Sequence, residues 1–164
     1  MSIEVRVLKA FQGDCIWIRY GEENFTNIVI DSGPTTFKNK FKVLAREIEL
    51  KGENIDLMIF THIDNDHIGG ASKVLADKEI DCKCIKKVWI NTPTKICSHF
   101  NIKGYAEDKY EIHVSKANQE YSPKVANDLI SIIAEKNIEV EQLIMADGSS
   151  IEIAGAEIIV LSPT

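Results

Sequence analysis

A short apolar run that ends at a cluster of metal-binding side chains constrains this chain more than any other feature of its sequence. The run Leu57-Met58-Ile59-Phe60 is short enough to be a buried β-strand. One residue later comes the segment His62-Ile63-Asp64-Asn65-Asp66-His67-Ile68-Gly69-Gly70. A loop that leaves a buried strand holds side chains rigidly at its base and projects them into a cleft. The pattern therefore predicts a functional site at the carboxyl end of this strand.

The donor atoms of this loop indicate metal chemistry. His62 and Asp64 are two residues apart and point the same way in an extended segment, whereas the adjacent Asp66 and His67 diverge and suit a second ion. Imidazole nitrogen favours zinc, and carboxylate oxygen favours harder ions such as manganese. We therefore expect two divalent metal ions, Zn2+ or Mn2+. Such a pair, about 3.5 to 4 Å apart, activates water for hydrolysis of a phosphoryl or acyl group.

Two glycines follow the donors, and the alternative to a metal site is structural. Gly69 and Gly70 are expected to let the backbone pass close beneath the ions, with a helix starting just after them whose free amides favour an anion. In the alternative interpretation, the segment is an acidic, solvated loop that caps a helix, and His62 and His67 make ordinary hydrogen bonds.

The rest of the chain alternates between strand and helix patterns, which predicts a mixed sheet with packed helices, in the α/β or α+β class. Three helices are predicted. The first covers the apolar residues between 41 and 48 and ends at Gly52, and the second begins just after Gly70. The third follows Ser122-Pro123, an N-cap and a proline at the first helical position. Residues 93–121 show no clear period. Strands are predicted at 3–7, 15–18, 28–30, 55–60, 88–90, 143–144, 150–153 and 157–161.

Composition limits the setting in which the chain works. Its 164 residues suit one domain, and a formal net charge of -6 excludes a generally basic surface, so any basic groove has to be local. The start of the chain lacks the pattern of a signal peptide, and no segment is apolar enough for a membrane span. We therefore expect a cytoplasmic protein without a membrane partner. The four cysteines, Cys15, Cys82, Cys84 and Cys97, are expected to be reduced thiols.

The segment from Thr61 to Gly70 resembles the signature loop of the metallo-β-lactamase superfamily, His-x-His-x-Asp-His followed by glycine. Asp31-Ser32-Gly33 resembles the Asp-Ser/Thr-Gly that ends an early strand in that family, and Gln12-Gly13-Asp14 adds a likeness in the first hairpin. Asp64 stands where the second histidine is usual. This variant is similar to the hydrolase domain of DNA-uptake competence proteins.

The resemblance implies a fold, an activity and a set of roles. The fold is the N-terminal part of a four-layer αββα sandwich, so residues 1–164 would form a single metallo-β-lactamase-like domain that lacks its C-terminal half. His62 and Asp64 would bind the first metal, Asp66 and His67 would bind the second, and Asp66 would also orient the nucleophilic water. Asp31 would support the loop from behind. The implied activity is hydrolysis of a small-molecule or nucleic-acid phosphodiester, as in a nuclease or phosphodiesterase.

Two other functions fit the same residues. The fold also supports hydrolysis of a thioester, lactone or lactam, and a fold fragment can serve without catalysis by binding a partner protein. An incomplete sandwich would expose one sheet face and an edge strand, which predicts self-association or a C-terminal partner fragment. His99 and His113 lie in the region without a clear period, where each is either a further ligand or a solvated side chain.

Overall fold

The computed structural model describes residues 1–77, 84–102, 123–148 and 150–162. It contains a six-stranded sheet in which the strands lie in chain order. The first strand pairs antiparallel with the second and the second with the third, whereas the pairs from the third strand to the sixth are parallel. The strands are β1 (Ser2–Val7), β2 (Ile16–Gly21), β3 (Phe25–Ile30), β4 (Leu57–Phe60), β5 (Lys87–Ile90) and β6 (Glu139–Glu141).

Helices and a separate hairpin complete the fold and confirm the predicted α/β class, a mixed sheet with flanking helices. A short 3₁₀ turn, Thr35–Phe37, leads into the first helix. The hairpin consists of β7 (Ser150–Ile153) and β8 (Ala156–Ile159), joined by a turn at Gly155, which has a positive φ of 84°. The helices are α1 (Lys38–Leu50), α2 (Asn65–Ala76), α3 (Pro93–His99) and α4 (Pro123–Glu135).

Two local predictions were wrong, and helix α3 was not predicted. Helix α2 begins at Asn65, so Gly69 and Gly70 lie inside it rather than before it. The sixth strand is Glu139–Glu141, and Leu143-Ile144 lies beyond it in irregular backbone, where the backbone N–H of Ile144 donates to the Asn91 side chain at 2.6 Å. Residues 93–99 form helix α3, which has no buried residue and therefore leaves no apolar period in the sequence. The predicted N-cap, Ser122, lies outside the described residues.

One face of the sheet carries the larger core, because helices α1, α2 and α4 pack on it. Their apolar stripes meet inward-facing strand residues, of which Trp17, Val29 and Met58 are completely buried. At the amino-terminal edge of the parallel strands, the indole N–H of Trp17 donates to Asn27 Oδ1 at 2.9 Å. The core therefore satisfies the one polar atom that this indole brings into it.

The opposite face is covered only in part. The hairpin packs over a second apolar cluster that contains Tyr20, Leu57 and Trp89, and the Tyr20 hydroxyl donates to the Ile153 carbonyl at 2.5 Å. Beyond the hairpin, β1 leaves an apolar row open to solvent, with Ile3, Val5 and Val7 exposed by 67%, 56% and 73%. One sheet face is thus sealed by helices, while the other retains exposed apolar surface.

The parallel strands place the site. Their carboxyl ends lie at one edge of the sheet, so the residues that follow β3 and β4 become neighbours there although about thirty positions separate them. The backbone N–H of Asp31, just after β3, donates to the Ile59 carbonyl in β4 at 2.8 Å. The two loops that carry the polar motifs therefore meet at this edge.

Two predictions concern membranes and cysteines. Within the described parts of the chain, none of the helices has the length and apolar character needed to cross a membrane. Cys15, Cys84 and Cys97 are reduced thiols in the structure, in agreement with the prediction for these three. Cys82 lies outside the described residues.

Candidate metal centre

A turn after β3 and the first half of α2 are joined by hydrogen bonds. The backbone N–H and the hydroxyl of Ser32 both donate to the His67 carbonyl, at 2.7 and 2.8 Å. The same hydroxyl accepts from the Ala71 backbone N–H at 2.9 Å, so it bridges two helix groups that are four residues apart. The Gly70 backbone N–H donates to the Gly33 carbonyl at 2.9 Å. These bonds fix α2, and with it His67, against the end of β3.

The buried carboxylate of Asp31 orients the His67 ring. His67 Nδ1 lies 2.8 Å from Asp31 Oδ2, and the side chains of these residues are exposed by only 10% and 2%. A carboxylate can only accept, so Nδ1 carries the proton and Nε2 presents its lone pair. A hydrogen bond of this kind is the usual way in which proteins fix the tautomer of a metal-binding histidine. His67 is therefore prepared to act as a ligand through Nε2.

Thr61 links Asp31 to His62 through hydrogen bonds. The Thr61 backbone N–H and hydroxyl donate to Asp31 Oδ1 and Oδ2 at 2.9 and 2.6 Å. Because the hydroxyl proton is used in this way, the contact of 3.1 Å between Thr61 Oγ1 and His62 Nδ1 requires the imidazole to donate. Both imidazoles then hold a proton on Nδ1 and a free lone pair on Nε2, which a metal ion requires.

Three of the four predicted ligands come together. His62, Asp66 and His67 offer ligand atoms that all lie within 4.8 Å of one another, and the two imidazole centroids are 3.6 Å apart. His67 Nε2 lies 3.6 Å from Asp66 Oδ2. Two imidazoles and a carboxylate are a donor set that zinc or manganese accepts, so the residues fit a divalent ion.

Asp64 lies outside this group. It is the N-cap residue of α2, where its backbone carbonyl accepts from the amides of His67 and Ile68 at 2.9 and 3.0 Å. Its carboxylate makes no capping bond and lies 3.5 Å from His62 Nε2. Asp64 therefore adjoins one member of the donor group without joining it. Its predicted role as a ligand of a first metal, and the presence of two ions, stay predictions.

The glycines of α2 serve packing rather than a close approach to ions. A Cβ at Gly70 would lie 2.1 Å from the Ser32 carbonyl oxygen, and one at Gly69 would lie 2.6 Å from the Thr35 backbone nitrogen. Both distances are shorter than any real carbon contact, so the helix can approach the 32–35 segment only because these residues lack a side chain. The structural reason for the pair thus differs from the predicted one.

Asp14 joins the site although sequence reasoning gave it no role there. Asp14, Asp31 and His67 form a second group whose ligand atoms lie within 4.8 Å of one another. Asp31 Oδ2 and His67 Nδ1 are hydrogen-bonded to each other, so we describe Asp14 as a neighbour of the candidate donor group rather than as a member of it. The Asp14 carbonyl accepts from the Gly33 backbone N–H at 2.8 Å. The Gln12-Gly13-Asp14 motif was the signal, but its sequence position does not show that it faces His67.

A thiol lies behind the cluster. Cys15 is completely buried, and desolvation together with the nearby charge of Asp31 raises the pKa of its thiol to about 12. The protonated form therefore persists at neutral pH, and Cys15 fills core volume instead of offering a thiolate ligand.

The two histidines in the region without a clear period do not enter the site as described. His99 lies in the last turn of α3, is exposed, and packs edge to face against Phe100 with ring centroids 4.9 Å apart. It belongs to neither donor group of the described residues. His113 lies outside the described residues.

Comparison with known proteins points to one family. Residues 8–80 match the family model of the metallo-beta-lactamase superfamily. The matched segment is less than half of the chain, and it contains Asp14, Asp31 and the whole donor loop. No curated protein matches the sequence.

Solved structures of proteins with that family name are also similar. A putative metallo-beta-lactamase from Thermotoga maritima is 13% identical with a TM-score of 0.44, over 90% of this chain and 61% of that one. A metallo-beta-lactamase with a HARLDQ motif from Cronobacter sakazakii is 19% identical with a TM-score of 0.35, and the match covers 55% of this chain and 31% of that one. A mutant of this protein in the HARLDQ motif is 18% identical with a TM-score of 0.36, and the match covers 57% of this chain and 35% of that one. The chain thus spans between 31% and 61% of the length of these proteins.

Proposed function

We propose that this chain carries the first part of the active site of a metal-dependent hydrolase that acts on phosphodiester bonds. The observation that carries the proposal is His67, whose Nδ1 is held by buried Asp31 at 2.8 Å while its ring lies against that of His62, with centroids 3.6 Å apart. An apolar core does not require two imidazoles that pack on each other while their protonated Nδ1 atoms are bound by Thr61 and Asp31. The family match over residues 8–80 supports the same interpretation.

The donor group and the buried Asp31 have different roles in the proposed site. His62, Asp66 and His67 would hold the ion, and Asp31 keeps both imidazoles in the tautomer that can bind it, directly and through Thr61. A bound zinc or manganese ion would lower the pKa of a coordinated water and polarise an oxygen of the substrate. The Asp66 carboxylate, whose side chain is 32% exposed, is the group of the donor set best placed to accept a hydrogen bond from the attacking water.

Phosphodiesters are proposed over carbonyl substrates because of the oxygen-donor content of the site. Asp66 supplies a carboxylate to the donor group, and the Asp64 carboxylate lies 3.5 Å from His62 Nε2; carboxylates favour harder ions such as manganese, which phosphoryl transfer also uses. Hydrolysis of a thioester, lactone or lactam is the alternative reaction of such a site.

The test is hydrolysis of bis(p-nitrophenyl) phosphate by the full-length protein with added manganese or zinc. His67→Ala is expected to lower the rate by at least about 100-fold, because it removes both a ligand and the partner of Asp31. His99→Ala is the matched control, since it removes an exposed histidine outside both donor groups of the described residues, and it should leave the rate unchanged.

Two results would contradict the proposal. Turnover of a thioester or of a chromogenic β-lactam, with no cleavage of the phosphodiester, would assign the site to carbonyl substrates. A protein that retains neither metal in elemental analysis after dialysis, and that forms a stable complex with another protein, would favour the non-catalytic binding role.

A further inference from the structure

The loop between β1 and β2 exposes an aromatic side chain at an unfavourable backbone conformation. Phe11 is 77% exposed and has a φ of 67°, in the left-handed region that residues with a Cβ rarely adopt. Its ring is too exposed to contribute to a core, and glycine would occupy this backbone without strain. Stability of the fold therefore does not explain a phenylalanine here, and backbone strain of this kind is typical of binding sites.

This loop is fixed against the candidate metal centre. Its base is closed by a hydrogen bond of 2.9 Å from the Leu8 backbone N–H to the Cys15 carbonyl. Gly13 approaches the donor loop so closely that a Cβ there would lie 1.8 Å from the Asp66 carbonyl oxygen. Phe11 is only two residues from this contact. Phe11 is therefore part of a loop that contacts the donor loop.

Two ammonium groups lie over the ring of Phe11, a residue that is nonetheless 77% exposed. Lys40 Nζ lies 4.9 Å from the Phe11 ring centroid and Lys9 Nζ lies 5.6 Å from it, both within the range of a cation–π contact. Neither lysine pairs with a carboxylate among the residues that the structure describes. In a chain with a formal net charge of -6, this is a local positive region beside an exposed aromatic.

We propose that Phe11, Lys9 and Lys40 bind single-stranded nucleic acid, with one base stacked on the phenyl ring and the adjoining phosphates against the two ammonium groups. The inference rests on the proposed function, since it names the substrate class of the same site. Stacking on an aromatic side chain requires an unpaired base, which selects a single strand over a duplex. A base held on Phe11 would bring the adjoining phosphates towards the donor loop, which the same β1–β2 loop contacts at Gly13 and Asp66.

The experiment measures binding of a 3′-fluorescein-labelled dT15 oligonucleotide to the full-length protein by fluorescence anisotropy at low salt, in EDTA. Phe11→Ala should weaken binding about tenfold, the loss expected for one stacked base, and Phe11→Trp should bind at least as tightly as the natural protein. Phe100→Ala removes another exposed aromatic, on α3, and is the matched control, with affinity unchanged.

The lysines are tested through the salt dependence of the same titration. Replacing Lys9 and Lys40 together by Gln should reduce the slope of log affinity against log salt by roughly 1.4, which is about 0.7 for each lost phosphate contact. Lys95→Gln combined with Lys136→Gln removes the same charge elsewhere and should leave the slope unchanged. Phe11→Gly should abolish stacking and also raise the midpoint of thermal unfolding, because it relieves the backbone at a φ of 67°.

Several outcomes would overturn the inference. They are an unchanged affinity in Phe11→Ala, an equal loss in Phe100→Ala, or a salt slope that both double variants change alike. Binding of phosphatidylserine vesicles without binding of dT15 would make Phe11 a membrane-inserting residue instead. Because the titration contains no free metal ion, it is independent of hydrolysis. A protein that binds dT15 through Phe11 and cleaves no phosphodiester would contradict the proposed function but not the binding site.

Discussion

The candidate metal centre has a buried side and an open side, which differ in the solvent exposure of their side chains. On the buried side, Asp31 and His67 have side chains exposed by 2% and 10%, and hydrogen bonds from Ser32 to the His67 carbonyl hold the turn after β3 against α2. On the open side, the His62 and Asp66 side chains are exposed by 46% and 32%. The buried side is therefore part of the folding core. The open side can change at little cost to stability, so its composition reflects what it binds.

The comparison is tested most severely at Gly70, which belongs wholly to the buried side. Gly70→Ala should lower the free energy of unfolding by about 3 kcal/mol, because its Cβ would overlap the Ser32 carbonyl oxygen at 2.1 Å. Unfolding in urea measures the change.

Gly52→Ala is the matched control for Gly70→Ala. Gly52 has a positive φ of 72° but no atom within 4 Å of an added Cβ, so only backbone strain of about 1 kcal/mol is expected. Equal losses in the two variants would show that close packing of α2 on the 32–35 segment is not what holds the buried side.

Asp31→Asn should affect both stability and metal binding. The amide can accept through only one of its two atoms, so either Thr61 or His67 loses its acceptor. We expect a loss of about 2 kcal/mol in the free energy of unfolding and a zinc affinity roughly 10- to 100-fold weaker. Urea unfolding and isothermal titration calorimetry with zinc measure the two quantities.

Asp56→Asn separates these two effects. Asp56 accepts from the Asn27 backbone N–H at 2.9 Å and from Lys86 Nζ at 2.8 Å, at the opposite end of the strands. Its replacement should cost stability while leaving zinc affinity intact. An Asp31→Asn protein that binds zinc as tightly as the natural one would show that this carboxylate does not orient the ligands.

The open side is expected to give the smallest changes in stability. His62→Ala should alter the free energy of unfolding by no more than about 0.5 kcal/mol, since the side chain is half exposed, yet it should weaken zinc binding at least tenfold. Asp64→Ala is its partner in the test and should weaken zinc binding less than His62→Ala, because Asp64 lies outside the donor group. The reverse order would restore Asp64 as a ligand.

The sequence indicated the open side of the site more fully than the buried side. All of His62, Asp64, Asp66 and His67 stand within six positions, so their density was visible without a fold. The contact that gives His67 its tautomer joins residues 36 positions apart, and only the parallel pairing of β3 and β4 creates it. Asp31 was reached through resemblance to a family motif. Asp14 was also part of a motif that resembles the family, but nothing in a hairpin motif shows which neighbour it faces.

The errors in the predicted elements have a common physical cause. The spacing of apolar residues in a sequence indicates which residues are buried. It therefore misses an exposed helix, and it wrongly indicates a strand where buried residues lie in irregular backbone. Helix α3 buries none of its residues, and the first turn of α2 directs Asp66 to the site rather than to the core. Ile144 gave the opposite error, since it packs against the cluster under the hairpin from irregular backbone.

The order of the six-stranded sheet has a consequence for how the protein is made. Each strand of this sheet pairs with the preceding strand of the sheet, and β1, β2 and β3 do so through short connections with a small cost of loop closure. Among the described residues, those that build the candidate centre lie between Asp14 and Gly70 and are therefore translated before β5. The ligand-bearing half can therefore assemble while the ribosome is still adding the strands that follow, and a cation encountered at that stage would help this nascent half to fold.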